Sequence, residues 1–142
     1  MKVLLAQTDT TVGFLSQSAD KLREAKRREE SKPFLKVFCA FHTLKTHIRV
    51  PNAHKRRVRY SKKTTFIVKN QAFRYVTDPD HARLIERYGW LYSTSANESG
   101  SSFDPSFCLE RADWIIEDAQ GLYERSSSKI YRLGRQQLKR IR

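Results

Sequence analysis

Three short stretches of this 142-residue sequence gather side chains that can hold an anion. Residues 8–14 read TDTTVGF, residues 26–34 read KRREESKPF and residues 93–100 read STSANESG. Lys26 and Arg28, two apart at the end of a helix, can bring an ammonium and a planar guanidinium to one polyanion, and neither needs to gain or lose a proton to do so. Ser95 and Asn97 occupy alternate positions of an extended loop, so their hydroxyl and amide point the same way. Each stretch also has a plainer reading when taken alone. The first can be an ordinary strand-to-helix connection, the second a set of solvated helix-end charges, and the third a turn rich in small residues.

The elements that must position these side chains follow from the pattern. Val3 to Gln7 reads as a buried strand that ends in a polar turn from Thr8 to Gly13. Ser18 caps a helix with Ala19, Leu22 and Ala25 along one face. That helix delivers Lys26, Arg27 and Arg28 at its end, where cations suit the macrodipole, and Pro33 stops it. Phe34 to Phe41 is a largely buried strand. The stretch from His42 to Lys63 carries the run HKRRVRYSKK, which reads first as a solvated basic loop and second as a nucleic-acid contact. Thr64 to Val68 and Phe73 to Val76 form neighbouring strands. A helix follows between Asp78 and Gly89, with Leu84, Ile85 and Tyr88 inward. Trp90 to Tyr92 is a strand entering STSANESG, and Asp104 and Pro105 open a short helix. Trp114 to Ile116 is another strand, while Ile130 to Leu133 and Arg140 to Arg142 close the sheet. The pattern predicts a mixed α/β (α+β) fold, a twisted mixed sheet flanked by helices, in a single domain spanning residues 1–142.

Composition narrows the function. A formal charge of +13, from 28 Lys and Arg against 15 Asp and Glu, implies a polyanionic ligand but does not separate a nucleotide from an RNA backbone. No apolar run approaches the roughly 20 residues of a membrane span, and the amino terminus turns polar too early for a secretory leader, so a cytoplasmic location without a membrane partner is expected. Cys39 and Cys108 lack a partner spacing and read as core thiols rather than as a disulfide or metal site. No carboxylate cluster suggests a metal cage.

Taken together and in order, the three stretches resemble the signature of the YrdC family (YrdC/YciO/Sua-type). TDTTVGF resembles its TDTVYGL turn, KRREESKPF its K-x-R followed by KP, and STSANESG its TSANxSG loop. TTFIV at 64–68, FRYVTDPDH at 73–81, SSKIYRL at 127–133 and the closing RIR resemble later segments of the same pattern. The resemblance implies a YrdC-like fold with a basic concave cleft. It also implies the activity of an L-threonylcarbamoyladenylate synthase, a nucleotidyltransferase. Bicarbonate and L-threonine form a carbamate, whose oxygen attacks the α-phosphorus of ATP and expels pyrophosphate. The product serves threonylcarbamoyladenosine formation in tRNA. ATP enters as a substrate, with Mg²⁺ bridging its phosphates.

By the same resemblance, the catalytic tetrad falls on Lys26, Arg28, Ser95 and Asn97. ATP contacts extend to Lys32, Ser93, Ser128 and Arg142, while Thr8 and Thr10 line the threonine end. Charge that builds on phosphoryl oxygens and pyrophosphate makes such fixed cations and donors the principal means of lowering the barrier. Asp9 is read as holding the turn. Partner proteins of the tRNA threonylcarbamoyl-transfer machinery are implied for a short, single-domain member.

The sequence departs from the pattern at Gln7, where proline is usual, at Val12, where tyrosine is usual, and at Ser61-Lys62-Lys63, which replace PGP. These changes bear on substrate selectivity. A competing reading is a YrdC-like module that binds double-stranded RNA or tRNA without synthase activity, supported by the charge and by Tyr60, Phe66, Phe73 and Tyr75 near the basic run. Strand-like alternation favours the core for these aromatics. A carbamoyl-adenylate function like that of the related domain in hydrogenase maturation lacks its accompanying acylphosphatase and zinc-finger segments.

Overall fold

The computed structural model describes residues 1–28, 33–117 and 119–142. Among these residues nine strands and five helices combine into a mixed α/β fold, as the sequence pattern predicts. The chain divides into two compact units, Met1–Phe34 with Leu91–Ser126, and Leu35–Trp90 with Ser127–Arg142.

In the first unit, β1 (Leu4–Gln7) pairs antiparallel with β2 (Val12–Ser16), with Leu5 opposite Phe14. On its other side β2 pairs antiparallel with β6 (Trp90–Ser95), with Gly13 opposite Ser95, and β7 (Trp114–Ile116) lies parallel to β1. The polar turn therefore ends at Thr11 rather than running to Gly13. Residues 12–16 form a strand because every one of them is buried between two neighbours, a tertiary reward that local polarity does not show. Helix α1 (Ala19–Lys26) starts at Ser18, whose hydroxyl accepts from the Lys21 N–H, and ends at Arg27 in the left-handed conformation (φ 54°). It packs Leu22 and Ala25 against Leu5, Phe14, Phe34 and Cys108. Asp104 caps α5 (Pro105–Arg111), the short helix expected there.

In the second unit, β3 (Leu35–Phe38) runs parallel to β5 (Gln71–Tyr75), which forms a hairpin with β4 (Thr64–Val68). Lys69 and Asn70, with φ 47° and 67°, make the tight turn, both in the left-handed region that such hairpins demand. β8 (Lys129–Leu133) lies parallel to β4, and β9 (Leu138–Arg140) closes that edge antiparallel to β8. The expected strand from Phe34 to Phe41 stops at Phe38, and Phe41 opens α2 (Phe41–His47) instead.

The basic run is not a loop. Lys55–Tyr60 is a helix, α3, preceded by a 3₁₀ turn at Asn52–His54. It turns Val58 into the core with no exposure and leaves Arg56, Arg57 and Arg59 outside. With one buried apolar position in six residues, its helical period is invisible in the sequence. Helix α4 (Pro79–Glu86) is capped by Asp78 and buries His81 and Ile85, with Leu84 half-buried, whereas Tyr88 is exposed. Phe66 and Phe73 belong to the core and Tyr75 packs edge-on against Phe41, but Tyr60 is 74% exposed. Among the described residues no helix is long and apolar enough to cross a membrane.

Candidate anion site

The end of α1 and the loop after β6 meet within the first unit. Lys26 donates from Nζ to the Ser95 carbonyl at 2.8 Å, to Asn97 Oδ1 at 2.7 Å and to Ser95 Oγ at 3.3 Å, which occupies all three ammonium protons. Ser95 Oγ donates in turn to Asn97 Oδ1 at 2.7 Å, and the Asn97 amide donates to the Ser101 carbonyl. The backbone repeats the tie, for the Ser99 N–H donates to the Lys26 carbonyl at 3.0 Å. The helix ends here, which leaves the Lys26 carbonyl without an intrahelical donor and open to the Ser99 N–H.

Lys26 is only 4% exposed. Burial, and after it the neighbouring Arg28, pulls its pKa down from 10.5 to about 8. Arg28 is half-buried and also lowered, by burial first and Arg23 second. Its Nη2 donates to the Pro33 carbonyl at 3.3 Å, and its guanidinium lies 4.9 Å from the Phe34 ring centre. Arg27 turns toward Glu98 at 3.9 Å, an exposed pair of little energetic weight.

The turn between β1 and β2 brings the hydroxyls of Thr8 and Thr10, both buried, to 3.3 Å, and Thr8 Oγ1 also accepts from the Thr10 N–H and donates to the Thr11 carbonyl. Antiparallel pairing sets this turn at the end of β2 where β6 finishes. A methyl on Gly13 would lie 3.2 Å from the Thr8 methyl and 3.8 Å from Ser93 Oγ, so Ser93 shares that corner. Gln7 accepts from the Tyr123 N–H through Oε1, while its buried Nε2 has no hydrogen-bond partner among the described residues. The Cys108 thiol is pushed up to about 11, chiefly by burial, which suits core packing and not nucleophilic chemistry. Cys39, also unpaired, is half-buried rather than enclosed.

No family model matches the sequence, and no curated protein matches it. Solved structures do. A variant of Sua5 from P. abyssi aligns over 99% of this chain and 52% of its own, with a TM-score of 0.82 at 16% identity. E. coli YciO aligns over 99% of this chain and 82% of its own, with a TM-score of 0.76 at 18% identity. A full-length HypF in its phosphate- and nucleotide-bound form aligns over 99% and 26%, with a TM-score of 0.78 at 18% identity. The chain has the YrdC/Sua5-type fold. It spans about half the length of the Sua5 structures, one of which is complexed with L-threonine.

Within the YrdC/Sua5-type fold, the expected site residues separate into two groups. Lys26, Ser95 and Asn97 form one bonded cluster, Arg28 stands beside it on Pro33 and Phe34, and Thr8, Thr10 and Ser93 lie in the same unit. Ser128 and Arg142 belong to the second unit and bond to each other there, Arg142 Nε to the Ser128 carbonyl at 3.0 Å and Nη2 to Ser128 Oγ at 3.4 Å. Thr65, not singled out from the sequence, joins them with its hydroxyl 2.7 Å from Ser128 Oγ. The parallel register that pairs Thr65 with Ile130 is a long-range fact with no local signal. Lys32 lies outside the described residues. Among the described residues no three His, Cys, Asp or Glu side chains gather to hold a metal ion.

Proposed function

We propose that the chain is a nucleotidyltransferase that forms threonylcarbamoyl-AMP from ATP, L-threonine and bicarbonate, for the modification of adenosine in tRNA. The observation that carries this reading is the Lys26 ammonium, buried against Ser95 and Asn97 from a distant loop. A charge held at such desolvation cost is justified by an anion that it will meet.

The steps are those that the resemblance to the YrdC family implies. Threonine's amine and bicarbonate combine to a carbamate with loss of water. A carbamate oxygen then attacks the α-phosphorus of ATP, the bond to the β-phosphate oxygen breaks, and pyrophosphate leaves. Negative charge grows on the phosphoryl oxygens, and Lys26 and Arg28 offset it without transferring a proton. A phosphate oxygen replaces one of the three acceptors now on Lys26, and the released serine hydroxyl or asparagine amide turns to the substrate. Thr8 and Thr10 hold the amino acid. Ser93 contributes to nucleotide binding, and Lys32 adds charge. Mg²⁺, carried as the counterion of ATP, would supply neutralisation of the phosphate charge. Transfer to tRNA falls to partner proteins.

Incubation with MgATP, threonine and bicarbonate should yield threonylcarbamoyl-AMP by mass spectrometry, with pyrophosphate released only when all three are present. Absence of the adduct, together with salt-sensitive retention of tRNA, would favour the second reading, an RNA-binding module without synthase activity, for which the +13 charge speaks.

A further inference from the structure

A cavity of about 670 Å³ opens on the second unit, away from every side chain that the expected chemistry uses. Successive side chains of a strand point to opposite faces. Thr65, bonded to Ser128, therefore lies on one side of β4, while Phe66 and Val68 turn to the other and pack with Leu44, Val58 and Leu133. The cavity belongs to that second side, at the far ends of β4 and β8, where Val68 and Leu133 line it. It shares no residue with the Thr65, Ser128 and Arg142 cluster.

Val50, Val68 and Leu133, all buried, give the cavity an aliphatic floor, and Pro51 and Ala53 extend it. Three exposed cations reach it from three different connections. Arg49 follows α2, Lys69 stands in the turn between β4 and β5, and Arg135 in the turn between β8 and β9. Among the described residues neither a carboxylate nor an aromatic ring lines it. The acidic residues of this unit, Asp78, Asp80 and Glu86, all lie on or at the cap of α4. Lys69 has φ 47°, a left-handed backbone that suits asparagine or glycine better than a long side chain, so the turn keeps its cation at a conformational cost.

We propose that this cavity is a second ligand site, for a small alkyl phosphate, and that it works independently of the Lys26 site. The physical case has three parts. The volume lies within the range of roughly 300–1,000 Å³ in which proteins hold small molecules, on mostly apolar surface with a few polar groups to fix orientation. An aliphatic body displaces water from Val50, Val68 and Leu133, while a phosphate monoester, close to doubly charged at neutral pH, meets cations from separate directions with no carboxylate to compete. The amides of Asn52, Gln71 and Gln136 offer donors to its remaining oxygens. Without an aromatic face the cavity has nothing on which a base can stack, which favours an alkyl body over a nucleotide.

The test titrates the full chain with octyl phosphate, below its micellar concentration and at physiological ionic strength, in a calorimeter. Octyl phosphate should bind at least tenfold more tightly than inorganic phosphate or octanol, each of which offers half of the ligand. Ala53→Trp, at an exposed wall position, crowds the cavity without changing its charge and should weaken octyl phosphate at least tenfold. Arg49→Ala/Arg135→Ala should weaken it as much, and both arginines are exposed, so folding is not at stake. Arg83→Ala/Arg87→Ala, a control with the same loss of charge in the same unit, should weaken it less than twofold. Two sources share this chemistry, a free metabolite and a membrane lipid. Sedimentation of the wild type, but not of Arg49→Ala/Arg135→Ala, with phosphatidylglycerol vesicles would assign the lipid, and octyl phosphate binding without sedimentation would assign the free anion. Inorganic phosphate or octanol binding as tightly as octyl phosphate, equal losses in the two double variants, or an unaffected Ala53→Trp would each overturn the proposal.

Discussion

The ammonium of Lys26 lies 2.7 Å from the amide oxygen of Asn97, across 71 positions of sequence, and is enclosed to 4% exposure. Its lowered pKa means that the fold holds this charge less comfortably than water does. A site that keeps such a group trades stability for function.

Lys26→Met should therefore separate the two. The thioether fills similar volume and carries no desolvation cost, and Asn97 Oδ1 keeps its bond from Ser95 Oγ. We expect a melting temperature equal to or above that of the wild type, with MgATP affinity down at least tenfold and product formation abolished. A variant that melts well below the wild type would show that the ammonium is a structural strut and that its bonds outweigh its burial.

The pH dependence has a definite sign. In the unfolded chain the lysine titrates near 10.5, in the anion-free protein near 8, so between these values the unfolded state binds more protons. The contribution of Lys26 to stability is thus least favourable below pH 8 and improves as pH rises from about 8 to 10.5. A bound polyanion prefers the ammonium, so its affinity should fall as pH rises through 8, and binding near pH 8 should take up protons. Calorimetry in two buffers of different ionisation enthalpy measures that uptake. Identical heats in both, for wild type and Lys26→Met alike, would sink the assignment.

Arg28 works through its shape as well as its charge. Its planar group lies 4.9 Å from the Phe34 ring centre and donates to the Pro33 carbonyl, a fixed orientation that a flexible ammonium does not reproduce. Arg28→Ala should weaken MgATP binding at least tenfold with the far-ultraviolet circular dichroism unchanged. Arg28→Lys should recover no more than a small part of that loss. Full recovery in the lysine variant would mean that charge alone matters there.

The grouping of Lys26 with Ser95 and Asn97 came from the family resemblance, while the element ends that carry them are written locally. Ser18 marks the start of α1, and the small polar residues after Trp90–Tyr92 mark the end of a strand. What stayed hidden depends on partners far away in sequence. Val12 and Gly13 read as part of a polar turn until β1 and β6 flank them. Thr65 is one threonine among many until β8 brings Ser128 to it. The arginines of α3 look like a loop because Val58 alone faces the core. The enclosure of Lys26 could not be foreseen either, since helix-end lysines usually keep their heads in water.

Gly13 offers the sharpest separation of the proposed threonine and ATP sites. It sits opposite Ser95 in the β2–β6 pairing, and a methyl there would come to 3.1 Å from the Thr94 carbonyl oxygen and 3.2 Å from the Thr8 methyl. The carbonyl belongs to a paired strand and yields little, so the Thr8 side chain must move and disturb its contact with Thr10. Gly13→Ala should cost about 1–3 kcal/mol of stability, in the range of overpacked cores. If Thr8 and Thr10 hold the amino acid, the KM for threonine should rise several-fold while that for MgATP stays within twofold. A parallel rise in both constants would show that the alanine disturbs β6 and its Ser95 end rather than the threonine corner, and no change in either would remove Thr8 and Thr10 from the site.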